Sequence, residues 1–266
     1  MKSNPKLNKH DQGFTLIEVA IVMLIIAFLI GAAITPLNAQ RESANIKKAR
    51  VELKTIEDAL YGFAIANGYL PCPAIPGLGN NGGNATDCTS FHGFVPSALL
   101  GISGRANCDG LMIDPWGNPY RYSITNADSS SVVGGGADFV RAGEISGESQ
   151  PPNNLSALSP DFRICSNVTV ACGAGTGAVN IVADNTVAVW FSMGKQWQNP
   201  STPENENAGE ATVNSTCGLS AYNISGDRFF YSADRVETGA NSFDDIVMWL
   251  SPNILYTKML AAGQLP

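Results

Sequence analysis

The spacing of apolar positions changes near residue 36, and the change divides the first quarter of the chain into two kinds of helix. From Val19 to Ile34 there are 16 residues without a charge, and between Phe14 and Thr35 only Glu18 is charged. At roughly 1.5 Å per residue, the 22 residues from Phe14 to Thr35 make about 33 Å of helix, enough to cross a hydrocarbon core. Beyond Pro36, Ile46, Ala49, Leu53, Ile56, Leu60 and Phe63 recur at spacings of three and four, drawing one apolar stripe. Charged residues from Arg41 to Asp58 occupy the other faces. Pro36 is expected to kink this helix without ending it, and Gly68 followed by Pro71 to stop it. The stripe is too short for a long coiled coil and is followed by a globular body, so it is expected to pack on its own domain.

After residue 69 the period shortens to that of strands. "YRYSI" (120–124), "ADFVRA" (137–142), "DFRICSNVTV" (161–170), "AVNIVA" (178–183), "TVAVWFSMG" (186–194), "DRFFYS" (227–232) and "DDIVMWLS" (244–251) are the strand candidates. Gly-, Asn- and Pro-rich connections separate them, the longest at 199–216. The tail at 253–263 has the pattern of a short amphipathic helix ending at Gly263. The predicted class is α+β, a long N-terminal helix packed on an antiparallel sheet with long loops.

A net charge of -7 and the absence of a clustered basic face exclude a nucleic-acid reader. All six cysteines, Cys72, Cys88, Cys108, Cys165, Cys172 and Cys217, follow the apolar run, which points to an oxidising compartment such as a periplasm. Six cysteines allow 15 pairings. Short separation favours Cys165–Cys172 and Cys72–Cys88, with Cys108–Cys217 left by elimination. A secretory signal competes for the N-terminus, but the apolar run is longer than such signals carry and begins with a carboxylate.

Candidate chemistry is sparse. "GLGNNG" (77–82) follows no strand and opens no helix, so a nucleotide loop is not expected there. His92 is the only histidine beyond residue 10, and a Ser–His–Asp arrangement would have to be built on it. Asp244 and Asp245 offer paired carboxylates at a strand entrance, either solvated turn residues or hard-cation ligands. Glu18 carries the strongest signal. A carboxylate in hydrocarbon costs roughly 2.5–3.5 kcal/mol on insertion scales, so it calls for a cationic partner. Cleavage before Phe14 would create one, a free amine, which a neighbouring helix shifted along its axis presents to Glu18 better than the same helix does.

"GFTLIEVAIVMLII" closely resembles the cleavage-and-methylation segment of type IV pilins and type II secretion pseudopilins. The resemblance implies cleavage by a prepilin peptidase after Gly13, N-methylation of Phe14, and Glu18 as the intersubunit partner. "DPWGNPYRY" (114–122), "VAVWFSMGK" (187–195) and "SFDDIVMWLS" (242–251) resemble landmarks of the major pseudopilin's C-terminal domain. There the final loop binds calcium, which nominates Asp244 and Asp245, although about 50 residues replace the short loop usual before it. "GYLPCP", Cys88 and "GFVPSALLG" resemble a larger, cysteine-containing subgroup.

The implied organisation is a leader at 1–13, a transmembrane and assembly helix at 14–36, and a periplasmic pilin-like domain at 37–266 that includes the amphipathic half-helix 37–67. The leader carries Lys2, Lys6, Lys9 and Asp11, a net +2, so removing it takes the chain from -7 to -9. The implied role is that of a single-pass inner-membrane subunit without enzymatic activity, polymerised with itself or other pilins. The peptidase, an inner-membrane platform and an ATPase would act on it in trans. A tip adhesin and an anchored periplasmic enzyme remain as alternatives. The length of the body, against more compact major subunits, points to a minor component.

Overall fold

The first helix, α1 (Leu16–Asn67), continues through Pro36, which lacks the N–H for its own place in the ladder. In this computed structural model the described residues are 14–76, 88–129, 136–166, 172, 180–196, 207, 212–213, 222–223, 228–236, 239 and 242–266. The chain divides into two units, Met1–Ile46 and Lys47–Pro266.

In the first unit the apolar side chains from Phe14 to Ile30 are exposed all round the helix; Phe14 and Leu16 are 87% and 89% accessible. A helix apolar on every face belongs inside a membrane or a larger assembly. Among the described residues no helix is long and apolar enough to cross a membrane. The side chains of residues 32–37 lie outside the described set, which ends the described apolar run at Gly31.

In the second unit α1 buries Ala49, Leu53, Ile56 and Leu60 completely, as the three–four spacing predicts. Phe63 is only half-buried, and Tyr61 and Ala64 complete the face. The principal sheet has the order β1 (His92–Phe94), β2 (Arg121–Ile124), β5 (Ala188–Ser192), β9 (Ile246–Leu250), with every pair antiparallel. One face of this sheet, through Tyr122, Ala188, Trp190 and Leu250, packs on Leu53, Ile56 and Leu60.

The opposite face is covered by a second sheet in the order β4 (Ile181–Thr186), β3 (Phe162–Cys165), β8 (Phe229–Tyr231). Phe162, Ile164 and Phe230 from that sheet meet Val189 and Phe191 of β5. Helix and two sheets therefore form three layers, and β2 and β5 are buried on both faces. This is why "AVWF" is a continuous apolar run rather than an alternating one. β3 pairs with β8 in parallel, so the expectation of a wholly antiparallel sheet holds for the first sheet and not for the second.

A two-stranded ribbon of β6 (Thr212–Val213) and β7 (Tyr222–Asn223) completes the strands. The predicted strand at 137–142 is instead a chain of turns leading into α2 (Glu144–Glu148). Gly136 and Gly143, at φ +129° and +94°, bracket it in conformations that a strand does not contain. Its Asp138 N–H donates to the Ala127 carbonyl and not to a strand ladder. The C-terminal helix α3 (Pro252–Ala261) buries Leu255, Tyr256 and Met259 in the main core.

Candidate functional site

The N-terminus of α1 is held by a reciprocal cap. Thr15 donates to Glu18 Oε2 from its backbone N–H and from its hydroxyl, both at 2.9 Å, and the Glu18 N–H donates to Thr15 Oγ1 at 3.3 Å. This is a capping box, T-x-x-E at 15–18, in which the first turn's orphan N–H groups are satisfied by side chains. The T-x-x-E spacing is legible in the sequence, while the cost of Glu18 in hydrocarbon points to a distant partner and not to this near one. The cap's donors are neutral, so it orients the carboxylate without cancelling its charge. Phe14 stands exposed beside it, and Gly13 lies outside the described residues. Among the described residues, a Cβ on Gly31 would meet nothing within 4 Å.

A buried polar network holds the loops at one end of the principal sheet. Asp114, in "DPWGN", accepts the N–H of Trp116 at 3.0 Å and of Asn118 at 2.8 Å through Oδ1, and the Ser192 hydroxyl at 2.5 Å through Oδ2. Asn118 Nδ2 donates to the Gly194 carbonyl at 2.5 Å. Burial pushes the Asp114 carboxyl above the usual carboxylate range; Ser192 and the backbone amides of this turn act in the opposite direction.

Asp244 and Asp245 are adjacent yet engage different elements. Asp244 Oδ2 accepts the backbone N–H of Lys195 at 2.7 Å and of Gln196 at 3.1 Å. Asp245 Oδ2 accepts from Asn207 Nδ2 at 2.8 Å. The negative charge of Asp245 also acts on the buried Arg121 guanidinium, opposing the desolvation that pulls its pKa down to about 9. The described donors on these two carboxylates are N–H groups. Among the described residues no group of three or more His, Cys, Asp or Glu side chains is placed to hold a metal ion.

His92 Nδ1 lies 3.0 Å from Ser123 Oγ, its directly opposite neighbour across the β1–β2 pair. The imidazole stacks on Phe162 of the second sheet, with ring centroids 5.8 Å apart. Burial, then the charge of Arg121, lowers its pKa to about 4, with Asp161 opposing. Ser123 is buried beneath this layer. The pair therefore has the placement of a packing contact, with the hydroxyl closed off from a substrate.

Disulfides join Cys72 to Cys88 and Cys165 to Cys172, with Cα atoms 5.4 and 5.8 Å apart. Cys108 is also disulfide-bonded, and Cys217 lies outside the described residues, as do most of loop 199–216 and all of "GLGNNG".

Residues 8–34 match the model of the prokaryotic N-terminal methylation motif. The chain is similar to type II secretion system core protein G of Aeromonas hydrophila, 27% identical over 118 residues that cover 42% of this chain and 73% of that protein. The Vibrio cholerae core protein G is 28% identical over 145 residues, 53% of this chain and 91% of that protein. The Escherichia coli (strain K12) core protein G is 27% identical over 115 residues, covering 41% and 70%. No solved structure matches.

Proposed function

We infer that this chain, which belongs to the type IV pilin and type II secretion pseudopilin family, is a structural filament subunit that reaches its assembled form through its N-terminal helix. The observation that carries this is the exposed apolar segment from Phe14 into helix α1, lying within a matched methylation motif and capped by Thr15 and Glu18. Such a surface is stable in lipid or against other helices and costly in water.

In this reading a prepilin peptidase cuts between Gly13 and Phe14 and methylates the new amine. Residues 14–36 hold the subunit in the inner membrane with the body on the periplasmic side. An assembly platform and its ATPase then draw it into the filament. There the Phe14 amine of one subunit meets Glu18 of another. Buried together, the two charges are stable only as a pair, and a mis-registered helix leaves both unmatched. Binding energy thereby becomes register.

Co-expression of the full chain with a prepilin peptidase tests this. Mass spectrometry is expected to find a protein lacking residues 1–13 with a methylated Phe14 amine, and Gly13→Ala to leave the precursor uncut. A wild-type chain that stays uncut beside an active peptidase sinks the reading.

A second reading, a minor subunit presenting a recognition surface at the filament tip, is favoured by one observation. The matches to the core G proteins leave about half of this chain uncovered. Stoichiometry in purified filaments separates the two: a component present in a few copies per filament supports the tip, and a component making up its length supports the shaft.

A further inference from the structure

We propose that Asp244 and Asp245 fasten the end of the body through protein donors, as two separate locks that need no divalent cation. The first lock closes on the turn after β5. Asp244 receives the consecutive N–H groups of Lys195 and Gln196, a pair of backbone donors converging on one carboxylate oxygen. Gly194, which opens that turn, has φ +62°, and a Cβ there would fall 2.5 Å from Asp244 Cγ. The carboxylate is thus packed flush against the chain it holds. The turn fills the space between Gly194 and the Asp244 carboxylate, which leaves no room for a cation between them.

The second lock closes on a residue far away in sequence. Asn207 Oδ1 accepts the Tyr231 N–H at 2.7 Å, and Asn207 Nδ2 donates to the Tyr231 carbonyl at 3.0 Å. Its carboxamide therefore pairs with both main-chain groups of one β8 residue, as the peptide of an adjoining strand would. The other Nδ2 hydrogen goes to Asp245 Oδ2 at 2.8 Å, which commits both amide hydrogens. Asn207, Asp244 and Asp245 are all buried. Arg121 supplies positive charge to the same region from β2, stacked 4.8 Å from the centroid of Phe94. A buried guanidinium repels a divalent ion and satisfies the electrostatic demand that such an ion would otherwise meet.

Adjacent residues of an extended chain point to opposite sides, and these two follow that rule. The described partners of Asp244 lie in the turn at 194–196 and that of Asp245 is Asn207, so the two carboxylates serve separate segments. The locks instead bind Lys195, Gln196 and Asn207 to the strand entrance before β9. The sequence pairing "DD" resembles a cation ligand pair; the contacts divide it between two tasks.

The test uses the full chain in detergent micelles, thermally unfolded in excess calcium chloride and in excess EGTA, and titrated with calcium alone by calorimetry. The expected result is the same midpoint in both solutions and no calcium binding heat. Asn207→Ala is expected to lower the midpoint by about 3–6 °C in either solution. It is also expected to speed protease cleavage within 197–227. A calcium-dependent rise in the wild-type midpoint that Asp245→Asn abolishes overturns the proposal without requiring any variant to fold better than wild type. So does an Asn207→Ala protein with unchanged midpoint and cleavage. These measurements read stability and are independent of filament assembly, so the filament reading stands or falls separately.

Discussion

Trp190 Nε1 donates a hydrogen bond to the Leu53 carbonyl at 3.0 Å, joining the central strand β5 to helix α1 across 137 residues of sequence. Both residues are fully buried. A helix carbonyl already serving its own ladder accepts a second donor here, which fixes the rotation of α1 over the sheet. Tyr120 adds a second tie, its hydroxyl donating to Glu52 Oε2 at 2.6 Å. Trp190→Phe keeps most of the buried ring but removes the donor. It is expected to cost about 1–2 kcal/mol in denaturant unfolding. An unchanged midpoint would show that packing alone sets the helix rotation.

Gly194 has no room for a side chain. Its φ of +62° alone costs an alanine about 1–2 kcal/mol, before the collision with Asp244. Gly194→Ala is expected to lose about 3 kcal/mol or more and to free the Lys195 and Gln196 amides to exchange. Hydrogen exchange at those two amides reads the effect directly.

His92 gives the body a pH dependence whose sign follows from its burial. Its pKa in the fold is about 4, below the roughly 6.5 of an unfolded histidine. Between these values the unfolded chain binds a proton that the native chain refuses. Stability is full above about pH 6.5, falls as pH drops toward 4, and has no further histidine contribution below that. His92→Asn is expected to flatten the profile within that window relative to wild type, measured by urea unfolding at several pH values. Parallel profiles would count against the buried neutral imidazole.

Thr15→Ala removes the hydroxyl that both donates to and accepts from Glu18. The expected cost is about 1 kcal/mol, confined to the first turn of α1. Faster amide exchange at residues 16–18 in micelles, with the body unaffected, is the expected pattern. Protection equal to wild type would mean that the lipid environment caps the helix by itself.

Glu18→Ala is expected to leave membrane insertion and processing intact while sharply reducing sheared or pelleted filaments. The motive is a carboxylate whose described donors are neutral. Normal filament yield would refute the proposed pairing with Phe14.

Periodicity alone located α1, its buried face and six of the seven strands of the two sheets, because burial on one side imposes a spacing that no other constraint reproduces. Leu53, Ile56 and Leu60 could have been chosen as core from the sequence, and they are fully buried. The stretch 137–142 misled because Phe139 and Val140 are apolar for tertiary reasons, inside a turn bracketed by left-handed glycines. Strand β1 was missed because three residues, His92–Phe94, carry too little pattern to register. The Thr15–Glu18 cap was legible and overlooked.

The N-terminal segment could be read from sequence because its chemistry is local: a Gly–Phe junction, a carboxylate four residues on, and a run that water cannot solvate cheaply. The body could not be read in the same way. That Asn207 would pair with Tyr231 and Asp245, or that two adjacent aspartates would serve different loops, depends on which segments the three layers bring together. A hydrogen bond between residues 24 or 48 positions apart leaves no periodic trace in the chain. Its partners are chosen only when folding excludes water from between them.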